Sequence, residues 1–285
     1  MPTMLRFDAR QIRLGQLTFN VIVEGQGPDV LLVHGFPDDH RVWRHQIPAL
    51  VAAGFRVIAP DNRGCGQTDT AAGVGAYKIE YLVDDLVGIL DALGIEQVRL
   101  VGHDWGSVIA WHFCMRHPER VDRYVALSVG HPTAYARGPL EQKLKGYYIW
   151  LLQLRGLIEW ALRARNWWLL RAVAHHPTEC HSWIENLSRP GRLTAAINYY
   201  RANLTLILPF PRPKPSVPVL GVWSSGDRFL AEAQMRASAK WVSGPWRYVR
   251  IDGPSHWLQL DAPDALNALM IDYLRGSPLS ATLRS

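Results

Sequence analysis

Apolar and polar positions along the chain follow two alternating periods. Leu17–Val23 places Leu17, Phe19, Val21 and Val23 at every second position, as a strand does. Asp29–Val33 is a short apolar run that stops at His34-Gly35, and Phe55–Ala59 is another, closed by Pro60. Val98–Val101, Val121–Val129, Val217–Trp223 and Trp246–Ile251 read in the same way, as strands buried in a sheet. Between them the apolar spacing turns helical. Arg41–Ala53 runs up to Gly54, Ile79–Leu93 up to Gly94, and Ser107–Arg116 up to His117-Pro118. Leu230–Trp241 and Pro263–Leu274 follow late in the chain. Strands alternating with helices predict an α/β fold with a mostly parallel sheet covered on both faces.

The alternation lapses over residues 132–215. This stretch reads as helical and is rich in tryptophan and arginine. It ends in Pro209-Phe210-Pro211-Arg212-Pro213-Lys214-Pro215, which cannot hold regular structure and reads as a stiff linker. The expected organisation is a sheet domain in two parts, residues 1–131 and 216–285, with a helical cap of residues 132–215 inserted between them.

Composition adds boundaries to this picture. The chain has 285 residues, 48% of them hydrophobic and 20% charged, as in a globular protein. Cys65, Cys114 and Cys180 are widely spaced and include no CxxC pair, which argues against a disulfide framework or a zinc site and for a reducing, cytoplasmic setting. Met1–Gly15 is polar, carries Arg6, Arg10 and Arg13, and has no apolar core of a signal peptide. No uncharged apolar run is long enough to span a bilayer, since Arg155 and Glu159 interrupt the nearest one, Gly146–Leu162. The net charge is +6. A basic balance can attract nucleic acid or anionic lipid. The excess arginine lies between Arg155 and Arg212 with no nucleic-acid motif, and solvated helix faces account for it at this level.

The chemistry centres on Gly102-His103-Asp104-Trp105-Gly106, between a predicted strand and a predicted helix. A sharp strand-to-helix turn exposes its central side chain, and the helix that follows aims its N-terminus at the same spot. The residue at the tip is ordinarily serine; here it is Asp104. A carboxylate is a poor nucleophile for esters and amides but can displace a leaving group from saturated carbon, forming an alkyl ester. Epoxides and alkyl halides are the matching electrophiles.

A base must then deliver water to that ester. His256, in a loop after a late strand, is in the right place, and Asp227, after Val217–Trp223, is placed to orient it. The rival position for the acid, after Val121–Val129, offers only Gly130-His131-Pro132. His175, His176 and His181 fall in the inserted segment and read as surface or packing residues, and His103, His112 and His117 as structural. Backbone N–H groups of Phe36 and Trp105 are the natural donors to a tetrahedral oxyanion.

These residues resemble the epoxide hydrolases of the α/β-hydrolase fold over nearly the whole chain. The resemblance rests on His34-Gly35-Phe36-Pro37, Asp61-Asn62-Arg63-Gly64-Cys65-Gly66, the Asp104 turn, Asp227 and His256-Trp257. It implies an oxyanion-hole loop at Phe36, often with a cis peptide before the proline, and a structural turn at Asp61–Gly66. It also implies two cap tyrosines that bind the epoxide oxygen and donate a proton to it. Tyr200, in Asn198-Tyr199-Tyr200-Arg201, takes the place of the second, and Tyr148, ahead of Gln153 and Gly156, that of the first, with Tyr147 as the alternative. The implied partners are a small hydrophobic epoxide, bound against Phe36, Trp105, Tyr148, Tyr200 and Trp257, and water. No metal or organic cofactor is implied, and apolar cap surface is suited to a homodimer contact. Pro254-Ser255 before His256 and the tryptophan-rich cap depart from the family's pattern.

Haloalkane dehalogenases are similar at Asp104, Trp105 and His256. They hold halide with a second N–H donor, commonly Asn where Phe36 stands, which a cap tryptophan such as Trp150, Trp167 or Trp168 would have to replace. Fluoroacetate dehalogenases need arginines near the nucleophile, where Trp105 and Val108 stand. A non-catalytic ligand receptor on the same fold would have little use for the complete acid–base set.

Overall fold

The computed structural model describes residues 7–174 and 176–276. His175 lies outside the described residues. Eight strands form one sheet: β1 (Ala9–Leu14), β2 (Leu17–Glu24), β3 (Asp29–Val33), β4 (Arg56–Pro60), β5 (Val98–His103), β6 (Val121–Leu127), β7 (Val219–Ser224) and β8 (Trp246–Ile251). Their order is β1-β2-β4-β3-β5-β6-β7-β8, with β2 antiparallel to both its neighbours and the other pairs parallel. Val30 to Val33 are fully buried because both faces of the sheet are covered, which is why these strands read as continuous apolar runs.

Between strands lie α1 (Gln46–Ala52), α2 (Ile79–Ala92) and α3 (Trp105–Arg116). From β6 the chain enters α4 (Pro132–Ala136), α5 (Leu140–Lys145), α6 (Tyr148–Leu151), α7 (Leu157–Ala174), α8 (Cys180–Ser188) and α9 (Arg192–Ala202). It returns to β7 through a stretch without regular structure over the proline-dense residues 209–215. α10 (Glu232–Ala237), α11 (Leu258–Asp261) and α12 (Pro263–Leu274) complete the order.

Four elements depart from the sequence reading. The expected helix Arg41–Ala53 is a short 3-10 turn, His40–Trp43, followed by α1. Pro48 lacks an N–H and its ring would strike the carbonyl four residues back, so the helix can begin only just before it. The expected helix Leu230–Trp241 is α10 followed by a 3-10 turn at Ser238–Trp241. β1 lies in the stretch read as merely polar; as an edge strand it buries only Ile12 and shows no alternation. α7 breaks at Ala164–Trp167, where Arg165, Asn166 and Trp167 take positive φ.

Candidate active site

β5 ends at His103 and α3 begins at Trp105, leaving Asp104 alone at the tip with φ 52° and ψ −122°. A non-glycine residue rarely occupies that region, and the turn persists because the close packing around it leaves no alternative path. A Cβ on Gly106 would overlap the backbone of Val33, and one on Gly35 would overlap the Asp104 side chain itself. The turn is therefore pressed against β3 and its following loop.

Each oxygen of Asp104 has a distinct neighbour. The Phe36 N–H donates to Oδ1 at 2.7 Å. Oδ2 lies 3.6 Å from Nε2 of His256. The Trp105 N–H is among the first donors of α3, which no residue within the helix can satisfy, and the Asp104 carbonyl accepts from Ser107 and Val108. The peptide bond between Phe36 and Pro37 is cis.

His256 donates from Nδ1 to Oδ2 of Asp227 at 2.8 Å. Oδ1 of Asp227 accepts from the backbone N–H groups of Phe229 and Leu230 at 2.8 and 2.9 Å, so both carboxylate oxygens are held. Burial by itself would lower the His256 imidazole, but the charges of Asp227 and Asp104 outweigh it and push it up to about 10. Burial likewise works against the charge on Asp104, yet His256 and the Phe36 N–H bring it below the ordinary carboxylate value. The ring thus lies between two carboxylates whose charges favour its protonated form.

His103 packs against this ring at 4.6 Å between centroids. Its Nε2 donates to the His256 carbonyl at 2.9 Å, and its Nδ1 accepts from Gln259 at 3.1 Å. Burial and the neighbouring His256 push it down to about 3, so it stays neutral and adds no rival cation. His176 is buried and contacts Asp261, and His112 bonds to its own helix at Val108. Asp61 is enclosed in its turn, accepting from Asn20, His40 and Gln67.

Two cavities meet at Asp104. One of about 250 Å³ is lined by Leu151, Leu162, Leu170, Phe229 and Trp257, and one of about 80 Å³ by Val108, Tyr135, Ile149 and Leu206. Asp104, Tyr148 and Tyr200 line both. Tyr148 and Tyr200 lie 5.9 Å apart between ring centroids, edge to face, and Tyr200 makes the same kind of contact with Phe36 and Trp105. Burial, reinforced by the Asp104 charge, holds both phenols well above the usual tyrosine value. Tyr147 stands 54% exposed at the outer edge of the larger cavity. Among the described residues, no arginine lines either cavity, and none of Trp150, Trp167 and Trp168 does.

One buried group escaped the sequence reading. Asp38, directly after the His34–Pro37 loop, accepts from the indole N–H of Trp183 at 2.8 Å and of Trp257 at 3.0 Å. It joins the β3 loop, α8 of the insertion and the loop that carries His256. Burial raises it to about 8. The acid pair Asp38-Asp39 beside a glycine-proline loop was the only local signal of it.

A family model described as alpha/beta hydrolase fold matches residues 28–263. The chain belongs to the epoxide hydrolases of the α/β-hydrolase fold. It is 32% identical to epoxide hydrolase A of Mycobacterium tuberculosis over 326 aligned positions, covering 98% of this chain and 99% of that protein. It is 33% identical to AB hydrolase superfamily protein YfhM of Bacillus subtilis, over 91% of this chain and 95% of that protein. The crystal structure of epoxide hydrolase A from Mycobacterium thermoresistibile superposes with a TM-score of 0.80 at 27% identity, covering 96% of this chain and all of that one.

Proposed function

We propose that this protein hydrolyses a hydrophobic epoxide to a vicinal diol through an ester on Asp104, with residues 132–215 serving as the cap over the site. The observation that carries the reading is the pairing of a fixed, ionised Asp104 with two neutral tyrosines across one apolar cavity. Relatives named epoxide hydrolases, matched along nearly their full length, support it.

The geometry divides the work between the two oxygens of Asp104. Oδ1 is already seated on the Phe36 N–H, so Oδ2, 3.6 Å from Nε2 of His256, is the oxygen left to attack. Oδ2 forms a bond to a ring carbon, the ring C–O bond breaks, and the released oxygen takes a proton from Tyr148 or Tyr200. Without that acid the alkoxide would be a poor leaving group. Oδ1 becomes the carbonyl oxygen of the ester. Water gives a proton to His256 as it adds to the ester carbon, and the negative charge develops on Oδ1, which the Phe36 N–H already contacts, with the Trp105 N–H as the proposed second donor. Each such donor contributes on the order of 3 kcal/mol. Collapse of that adduct breaks the bond between the ester carbon and Oδ2. The diol leaves with Oδ2 and a proton returned by His256, and the water oxygen completes the new carboxyl group, whose proton restores the imidazolium.

His256 supplies the second half. The charges of Asp227 and Asp104 both favour its protonated form, and esterification removes one of those charges. The imidazole then falls towards its ordinary value and becomes a base for the water, while Asp227 retains its orientation. The proton it releases on that change balances the one donated by tyrosine.

A dehalogenase reading needs a halide-binding N–H beside Trp105. Phe36 has no side-chain donor, and the Trp257 indole N–H is taken by Asp38. Presenting styrene oxide and a bromoalkane separately decides between them. Diol without bromide release is expected; bromide without diol would overturn the proposal.

A further inference from the structure

Among the described residues, every strongly exposed large hydrophobic side chain except Tyr81 belongs to the insertion. The apolar ones nearest the cavity mouth follow a helical period. From Leu140 to Leu154 the backbone is almost continuously helical, with turn-by-turn hydrogen bonds through Gly146 and Tyr147 bridging α5 and α6. Leu140, Leu144, Tyr147, Leu151 and Leu154 recur three or four residues apart on this run, and all are exposed, whereas Gln142, Ile149 and Leu152 point inward. An apolar stripe of this kind ordinarily faces a core; here it faces out. Trp150, Trp160 and Trp168 add three indoles that are 59%, 68% and 61% exposed.

The unpaired charges of residues 140–171 are of one sign. Lys143, Arg155, Arg163, Arg165 and Arg171 are exposed, and none of them makes an ion pair among the described residues. The two acids of the same stretch are already engaged, Glu141 with Lys145 and Glu159 with Arg201. A second copy meeting this face about a two-fold axis would set cation against cation, which disfavours self-association. Leucine and tryptophan interleaved with unpaired arginine match the interface of an anionic bilayer, where indoles sit at headgroup depth and guanidinium groups meet phosphate. The cavity opens here too, since Tyr147 and Leu151 are both exposed and both line it.

We propose that the outer face of α5, α6 and α7 docks on an anionic lipid surface, with the mouth of the larger cavity turned towards the membrane. An apolar substrate dissolved in the bilayer then reaches Asp104 without crossing water. The docking is peripheral, because no described helix is long and apolar enough to cross a membrane.

Vesicle flotation tests this without reference to turnover. The full chain is expected to float with vesicles of phosphatidylcholine plus phosphatidylglycerol, to float poorly with phosphatidylcholine alone, and to be released by salt. The combined variant Trp150→Ser, Trp160→Ser, Trp168→Ser should lower partitioning at least about tenfold, with turnover of a water-soluble epoxide and the circular dichroism spectrum unchanged. Arg155→Glu with Arg163→Glu should lower it about as far and keeps the proposal testable if the tryptophan variant fails to fold. Absence of binding to either vesicle, or equal binding to both, would overturn the proposal. So would a dimer in light scattering that the tryptophan variant dissociates, which would assign the face to a second copy.

Discussion

The two halves of the site are held by different forces. On the sheet side, Asp104, Asp227 and His256 sit on short turns, and the carboxylates find N–H donors from the backbone or the imidazole. On the insertion side, Tyr148 and Tyr200 are positioned by edge-to-face contacts with each other and with Phe36, Trp105 and Phe229, and both line the cavity. Hydrogen bonds from a rigid sheet fix charge. Aromatic packing with burial keeps a proton donor neutral. The division follows the two demands of the proposed reaction, a nucleophile that must stay ionised and an acid that must stay protonated.

Removing the charged half should cost most. Asp104→Ala is expected to lower kcat/KM for an epoxide by about 10⁴-fold or more, and retention of more than a tenth of wild-type turnover would contradict a nucleophilic role. Tyr148→Phe or Tyr200→Phe should each slow ring opening by about 10²-fold, because the second hydroxyl remains, with a larger loss in the double variant. Pre-steady-state formation of the ester reads this directly. Equal rates in both single variants and the wild type would break the contrast between the halves.

Asp104→Asn removes one of the two carboxylates that push His256 up, so the imidazole should titrate lower in the variant than in the wild type. Nuclear magnetic resonance of the ring nitrogens measures both; an unchanged titration would mean that Asp104 does not control the base.

A smaller effect is expected at the seam between the halves. Burial raises Asp38 from the ordinary carboxylate value of 3.8 to about 8, so the folded chain binds that proton more tightly than the unfolded one. Its contribution to stability is complete below about 3.8 and is lost as pH rises towards about 8. Asp38→Asn should cost about 1 kcal/mol at mildly acidic pH, through one weakened indole hydrogen bond, and should flatten the decline between those values. Melting temperatures of both proteins across that range check the sign.

How much of this was legible in the sequence depended on how local each feature is. The Asp104 turn is written in five consecutive residues with a strand before and a helix after, so sequence alone located it. Asp227 and His256 were found because each follows a late strand, and the structure brings both to Asp104. Tyr200 was separated from Tyr199 by motif context; in the structure Tyr199 turns away to donate to the Arg63 carbonyl. Asp38 was invisible because its partners lie 145 and 219 residues away. β1 was missed because an edge strand with both faces mostly in solvent has no apolar alternation.

The most direct measurement of the central claim is the mass of the peptide containing Asp104 after a His256→Gln variant is mixed with an epoxide. The nucleophile is intact in that variant and the base is gone, so the ester should accumulate and the peptide should gain the mass of the whole epoxide, at Asp104. A variant that turns over like wild type, or one that is inactive with no mass gained at Asp104, would contradict the account.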